Sequence, residues 1–136
     1  MLCDGSPGVG CPVISSLSGA SLAVAVVEPT PSGRHDFGRV ADLCRHFRIP
    51  VAIIINKADL NTHEADALEA EAASMGHTVA GRLPFSPLVV QAMARGEALT
   101  ERDSPLADEL ARIWRRIAGA ADAATRRNTN STIKTL

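Results

Sequence analysis

Two short apolar runs set the frame of this chain. Leu22–Val27 reads LAVAVV and ends at Glu28-Pro29, and Val51–Ile55 reads VAIII between Pro50 and Asn56. Each is continuous rather than alternating, rich in β-branched residues and closed by breakers, the pattern of a parallel strand buried on both faces. A weaker strand is predicted through His77–Ala80. Between these runs the period becomes helical. After Ser32, the expected N-cap, the apolar positions Phe37, Val40, Ala41, Cys44 and Phe47 share one face, and Pro50 stops the helix. Asn61 and Glu64 form a capping box for a helix carrying Ala65, Leu68, Ala72 and Met75, with Gly76 as its stop. Ser86-Pro87 and Ser104-Pro105 each set an N-cap before a proline at the first helical position. The last helix presents Leu106, Leu110, Ile113 and Ile117 as a stripe, with Trp114 beside it as packing.

Strands alternating with helices imply right-handed βαβ crossovers, a parallel sheet and an α/β fold. One domain is expected over residues 1–122. Residues 123–136, which include the polar run RRNTNSTIKT, are expected to be a disordered tail. Ligands of such sheets sit beyond the carboxyl ends of the strands. Four loops fall there: Asp4–Gly10, Glu28–Ser32, Asn56–Leu60 and Gly81–Pro87.

Composition narrows the partners. The chain has 136 residues, 46% of them hydrophobic, which suits one domain with a real core. A net charge of −1 and 3% aromatics give neither the basic field nor the stacking platforms of a nucleic-acid binder. Cys3, Cys11 and Cys44 are odd in number and widely spaced, so they form neither a disulfide framework nor a zinc site. Cys11 and Cys44 read as small buried thiols. His35, His46, His63 and His77 are scattered, and Arg112, Arg115 and Arg116 read as a solvated face. There is no apolar run near the roughly 20 residues that span a bilayer, and no secretory signal, so the expected location is the cytoplasm.

Three loops carry candidate chemistry. In Asp4-Gly5-Ser6-Pro7-Gly8-Val9-Gly10, a carboxylate suits a hard cation such as Mg²⁺, and a following glycine lets a backbone N–H approach a phosphate. Read alone, the motif is weak, and a solvated Gly/Pro turn is the plainer reading. Glu28-Pro29-Thr30-Pro31-Ser32-Gly33-Arg34-His35-Asp36 is a strand-to-helix turn whose helix start faces the same edge. Asn56-Lys57-Ala58-Asp59 follows the second strand directly. The Asn56 amide can both donate to and accept from a purine edge, the Lys57 stem can cover a ring, and Asp59 can accept the paired N–H donors of guanine. The plainer reading is a polar loop in which Asp59 or Asn61 caps the next helix.

Together, DGSPGVGCPV, EPTPSGRHDFGRV, VAIIINKADLN and GRLPFSP resemble the MinD/ParA family of deviant P-loop ATPases, closest to the subgroup with an inserted ferredoxin-like iron–sulfur domain. The resemblance runs from about Leu2 to Ile117. It implies a P-loop NTPase-like parallel sheet flanked by helices, with ATP and Mg²⁺ as cofactors and a homodimer in the intact protein. Asp4 would be the Walker B acid in the Mg²⁺ shell, and Pro7 and Gly8 would belong to the loop that senses the γ-phosphate. Asn56, with Lys57 and Asp59 beside it, would contact the base, and the loop at Leu83-Pro84 would close over it. Ser32, Asp36 and Arg39 match a family signature near the dimer and nucleotide side.

The sequence also departs from that family. No G-K-[ST] occurs, so the N-terminal strands and the Gly-rich Walker A loop are not in this chain, and neither are the cysteine motifs of the iron–sulfur insert. The expected protein is therefore the C-terminal fragment of an ATP-driven switch linked to iron–sulfur or redox work, inactive in hydrolysis alone. Any iron–sulfur cluster would lie in the missing part. Without the Walker A strand, Leu22–Val27 becomes an exposed apolar edge. Two alternatives stand beside this: a GTP-binding metallochaperone-type NTPase that reads guanine through NKAD, and a non-catalytic module that completes a split NTPase with a separate Walker A-containing half.

Overall fold

The second apolar run can be hidden from water on both faces only if strands flank it and helices cover it, and that is its position. The computed structural model describes residues 2–5, 13, 15, 17 and 19–133, the last six of these as backbone. Three strands, β1 (Ala23–Val27), β2 (Val51–Asn56) and β3 (Thr78–Leu83), form a parallel sheet with β2 in the middle. Helix α1 (Pro31–His46) connects β1 to β2, and α2 (Thr62–Ser74) connects β2 to β3. After β3 come the short helix α3 (Pro87–Arg95), a 3₁₀ turn at Leu99–Glu101 and the long helix α4 (Pro105–Ile133). No helix among the described residues is long and apolar enough to cross a membrane.

The two faces of the sheet have separate cores. On one, Phe37, Ala41 and Cys44 of α1 and Ala65, Leu68 and Ala72 of α2 pack on Val27, Val51, Ile53 and Ile55. These are the helical stripes expected from the sequence, shorn of their ends: Phe47 and Met75 are exposed. On the other face, Ile113 and Ile117 of α4 pack with Ala80, Ile54 and Leu83. Trp114, expected to pack, is 56% exposed, because it lies a full 100° around the helix from Ile113.

The β2–β3 pairing contains an irregularity. Ile53 pairs with Val79 and Ile54 with Gly81, so Ala80 is skipped in the register. The Ala80 carbonyl is taken by Arg116 Nη1 at 3.0 Å. Arg116 is thus not simply part of a solvated face; it satisfies a backbone acceptor beside the bulge. The next residue, Gly81, lies against α4 so closely that a Cβ would sit 2.6 Å from Ile113 Cγ1. Bulge, glycine and arginine together let α4 settle on β3.

Several local expectations change. β3 runs past Ala80 to Leu83, since Arg82 is anchored by Asp66 and Glu69 of α2 and Leu83 by the second core. The N-cap of α1 is Thr30 rather than Ser32: Thr30 Oγ1 accepts from Gly33 N–H at 2.9 Å, and Pro31 then occupies the first turn. Helix α4 continues past residue 123 and buries Ala124, where polar composition pointed to a tail. Residues 2–5 are irregular and exposed, with no strand among the described residues before Asp4.

Truncating Ile113 removes the centre of the second core. Ile113→Ala is expected to lower unfolding stability by about 2–4 kcal/mol, whereas Trp114→Ala changes it by less than about 0.5 kcal/mol. Urea midpoints of the two variants check this, and equal losses would contradict the packing described.

Candidate functional site at the carboxyl edge of the sheet

The three strands end at one edge, and the loops that leave them are tied together there. Lys57 Nζ lies 2.5 Å from Glu28 Oε1, joining the loops after β2 and β1. Ala58 N–H donates to the Leu83 carbonyl at 2.9 Å, and Phe85 N–H donates to Asp59 Oδ1 at 2.6 Å. The loops after β2 and β3 are therefore joined twice. Asn61 Oδ1 accepts from Glu64 N–H at 3.2 Å and caps α2, which fixes where the β2 loop must end. Asp59 is thereby released from capping and clamps the neighbouring loop.

Asn56 is the last residue of β2, with Leu83 as its register partner on β3. Its side chain is half-buried and makes no hydrogen bond among the described residues. Lys57 has φ 54°, in the left-handed region that costs a side-chain-bearing residue about 1–2 kcal/mol. Such conformations persist where the surroundings over-determine them, and they cluster at ligand sites. Leu83 is half-buried and Pro84 exposed.

The structure thus brings Asn56, Lys57, Asp59, Leu83 and Pro84 to one place. Asp4 lies in exposed irregular backbone and makes no hydrogen bond or ion pair among the described residues. Pro7, Gly8 and Cys11 lie outside the described residues. Ser32, Asp36 and Arg39 are exposed on α1 and bond to none of the Asn56–Asp59 cluster; Asp36 Oδ1 is 3.6 Å from His35 Nδ1.

Two residues that sequence reasoning passed over shape this edge. Gly33 approaches the loop after β1 so closely that a Cβ would meet the Glu28 carbonyl oxygen at 2.4 Å. The proline pair around Thr30 hinted at a tight turn, but not at this contact. Arg34 bonds Glu71, with Glu64 3.9 Å away, and pins α1 to α2. The hydrogen bond to Glu71 raises the guanidinium's pKa further.

No family model matches the chain. Over 58 residues it is 41% identical to the uncharacterized protein MJ0578 of Methanocaldococcus jannaschii. That match takes in 43% of this chain and 21% of the relative, so the chain covers about a fifth of that protein's length.

The left-handed backbone at Lys57 gives a direct test. Lys57→Gly and Lys57→Ala both lose the ion pair to Glu28, and only glycine is free of the conformational cost. The glycine variant is expected to be more stable than the alanine variant by about 1 kcal/mol in urea unfolding; the reverse order would show that the residue is not held in this conformation.

Proposed function

We propose that the carboxyl edge of the sheet is the base-binding part of a nucleotide site, and that the chain is the C-terminal portion of an ATP-dependent switch of the MinD/ParA type. The observation that supports this most is the half-buried Asn56 amide at the end of the buried strand, with no hydrogen-bond partner among the described residues. Beside it, Lys57 and the Leu83–Phe85 loop are held by neighbouring loops. An amide in that state can donate to and accept from a purine edge, and a pre-formed loop spares the ligand an ordering cost. Asp4 would contribute a carboxylate to the Mg²⁺ shell, a role that rests on its motif and the family resemblance. Bound Mg²⁺ would neutralise charge building on the phosphates. The chain's own residues supply orientation of the base and no phosphate cradle of the Walker A kind, so residues 1–136 alone are expected to hydrolyse no nucleotide. The link to iron–sulfur or redox work comes from the resemblance alone.

The family resemblance favours adenine over guanine. Reading guanine calls on both oxygens of Asp59 to accept N–H donors in one plane, and Oδ1 is held toward Phe85 N–H, which competes with that geometry without filling Oδ2. A second reading, completion of the sheet by a Walker A-containing partner, is favoured by one observation. β1 is an edge strand among the described residues, and Val24 and Val26, on its face away from α1 and α2, are 40% and 63% exposed. An edge paired on one side only offers its backbone N–H and C=O groups to a further strand, and an uncovered apolar face beside it would be buried by what that strand brings.

Calorimetric titration with MgATP and MgGTP, at about 100 μM protein to reach weak affinities, tests the base site. Saturable MgATP binding is expected, with MgGTP no tighter and Asn56→Ala about tenfold weaker, the loss of a hydrogen-bonding group worth about 1–1.5 kcal/mol. No heat from either nucleotide with the folded chain, or binding indifferent to Asn56→Ala, would contradict the proposal.

A further inference from the structure

The opposite edge of the sheet, where the strands begin, holds a second feature. Helices α1 and α2 both end there with the same pair of hydrogen bonds. In α2, Gly76 N–H donates to the Ala73 carbonyl and His77 N–H to the Ala72 carbonyl, with Gly76 at φ 78°. In α1, Arg48 N–H donates to the Arg45 carbonyl and Ile49 N–H to the Cys44 carbonyl, with Arg48 at φ 57°. Both are Schellman ends, in which the left-handed position belongs to glycine. The chain meets that preference at Gly76 and sets it aside at Arg48. A conformational cost retained at a surface turn calls for a compensating role of the side chain.

Beside these helix ends lies a cleft of about 670 Å³, within the ordinary range for a small-molecule site. Arg45, Arg48, Arg127 and His77 line it over apolar walls that include Ile49 and Met75, and no acidic residue is among its lining. Arg45 is engaged by Asp42 at 2.7 Å. Arg48 and Arg127 have no ion-pair partner among the described residues. The two helix C-termini set a negative field against an anion, about −0.5 elementary charge each. With Arg45 offset by Asp42, that sum, roughly −1, is outweighed by the two guanidiniums of Arg48 and Arg127. The His77 ring packs edge-on to Phe37, and its Nε2 is buried without a hydrogen-bond partner. Burial, and then the Arg45 charge, lower its pKa.

We propose that this cleft binds a small organic phosphate, its phosphate held by Arg48 and Arg127 and its organic body laid on the apolar wall. Guanidiniums match phosphate oxygens in paired, charge-assisted hydrogen bonds, and the cleft has more room than a bare ion fills. The site does not depend on the nucleotide proposal. It adjoins Pro50, Val51 and Thr78 at the start of β2 and β3, whereas Asn56 and Leu83 stand at their ends.

NMR titration of the whole chain with phenyl phosphate tests it. Saturable shifts are expected at the amides of Arg48 and Gly76–Thr78. Arg48→Gly suits the left-handed turn, so it should raise the urea midpoint while weakening phenyl phosphate about tenfold or more, the effect of one lost charge-assisted hydrogen bond. Arg127→Ala, on the exposed side of α4, should weaken it similarly. The proposal is overturned by absent saturation up to about 20 mM ligand (affinity too weak to matter on the usual scale), or by shifts centred on Asn56–Asp59 instead. Unchanged affinity in Arg48→Gly, or benzoate binding as tightly as phenyl phosphate, would equally sink it.

Discussion

The structure depends on the burial of β2. Val51, Ala52, Ile53 and Ile55 are all but inaccessible to water, so this strand needs a neighbour on each side and helices on each face. The crossover helices α1 and α2 cover one face, as right-handed connections require. The other face falls to α4, which reaches the sheet only because β3 bulges at Ala80 and carries Gly81 beneath Ile113. The bulge would strand a carbonyl, and Arg116 answers it. Placement of β2 therefore decides where both of its ends stand, and with them both candidate sites.

Those ends share an unusual property. Arg48 stands just before β2 and Lys57 just after it, and these are the two side-chain-bearing residues with positive φ among the described residues. Together they cost about 2–4 kcal/mol, a sizeable share of the 5–15 kcal/mol that keeps a typical domain folded. Both are cationic, and each borders one of the two candidate sites. A rigid central strand can hold strained residues at its ends because its own burial is so complete.

Much of the fold was legible in the sequence, since its signals were local. LAVAVV and VAIII announced strands, though only VAIII is buried on both faces while Val24 and Val26 of the first stay exposed; Asn61, Ser86 and Ser104 announced helix starts that the hydrogen bonds reproduce. What was not legible depended on tertiary contact. Thr30 displaced Ser32 as N-cap because the proline after it fixes the first turn. β3 was longer than its weak pattern suggested, since Arg82 is held by acids on another helix. Trp114 turned outward, and α4 outran its polar composition because Ala124 finds a buried place. Of the candidate site, the Asn56-Lys57-Ala58-Asp59 loop was legible by its position after VAIII. The clamp from Asp59 to Phe85 was not, because nothing in a separation of 26 positions encodes which loop a carboxylate will meet.

The contacts Lys57–Glu28, Ala58–Leu83 and Asp59–Phe85 tie the loops at the carboxyl edge into one pre-formed unit. Hydrogen exchange at the Ala58 and Phe85 amides, in the native chain and in Asp59→Ala, tests it most directly. Both amides are predicted to be protected in the native chain, and removal of the Asp59 carboxylate to speed exchange at both. Loss of protection at Phe85 with Ala58 unchanged, or free exchange at both in the native chain, would show that the loops move independently and that no pre-formed site exists there.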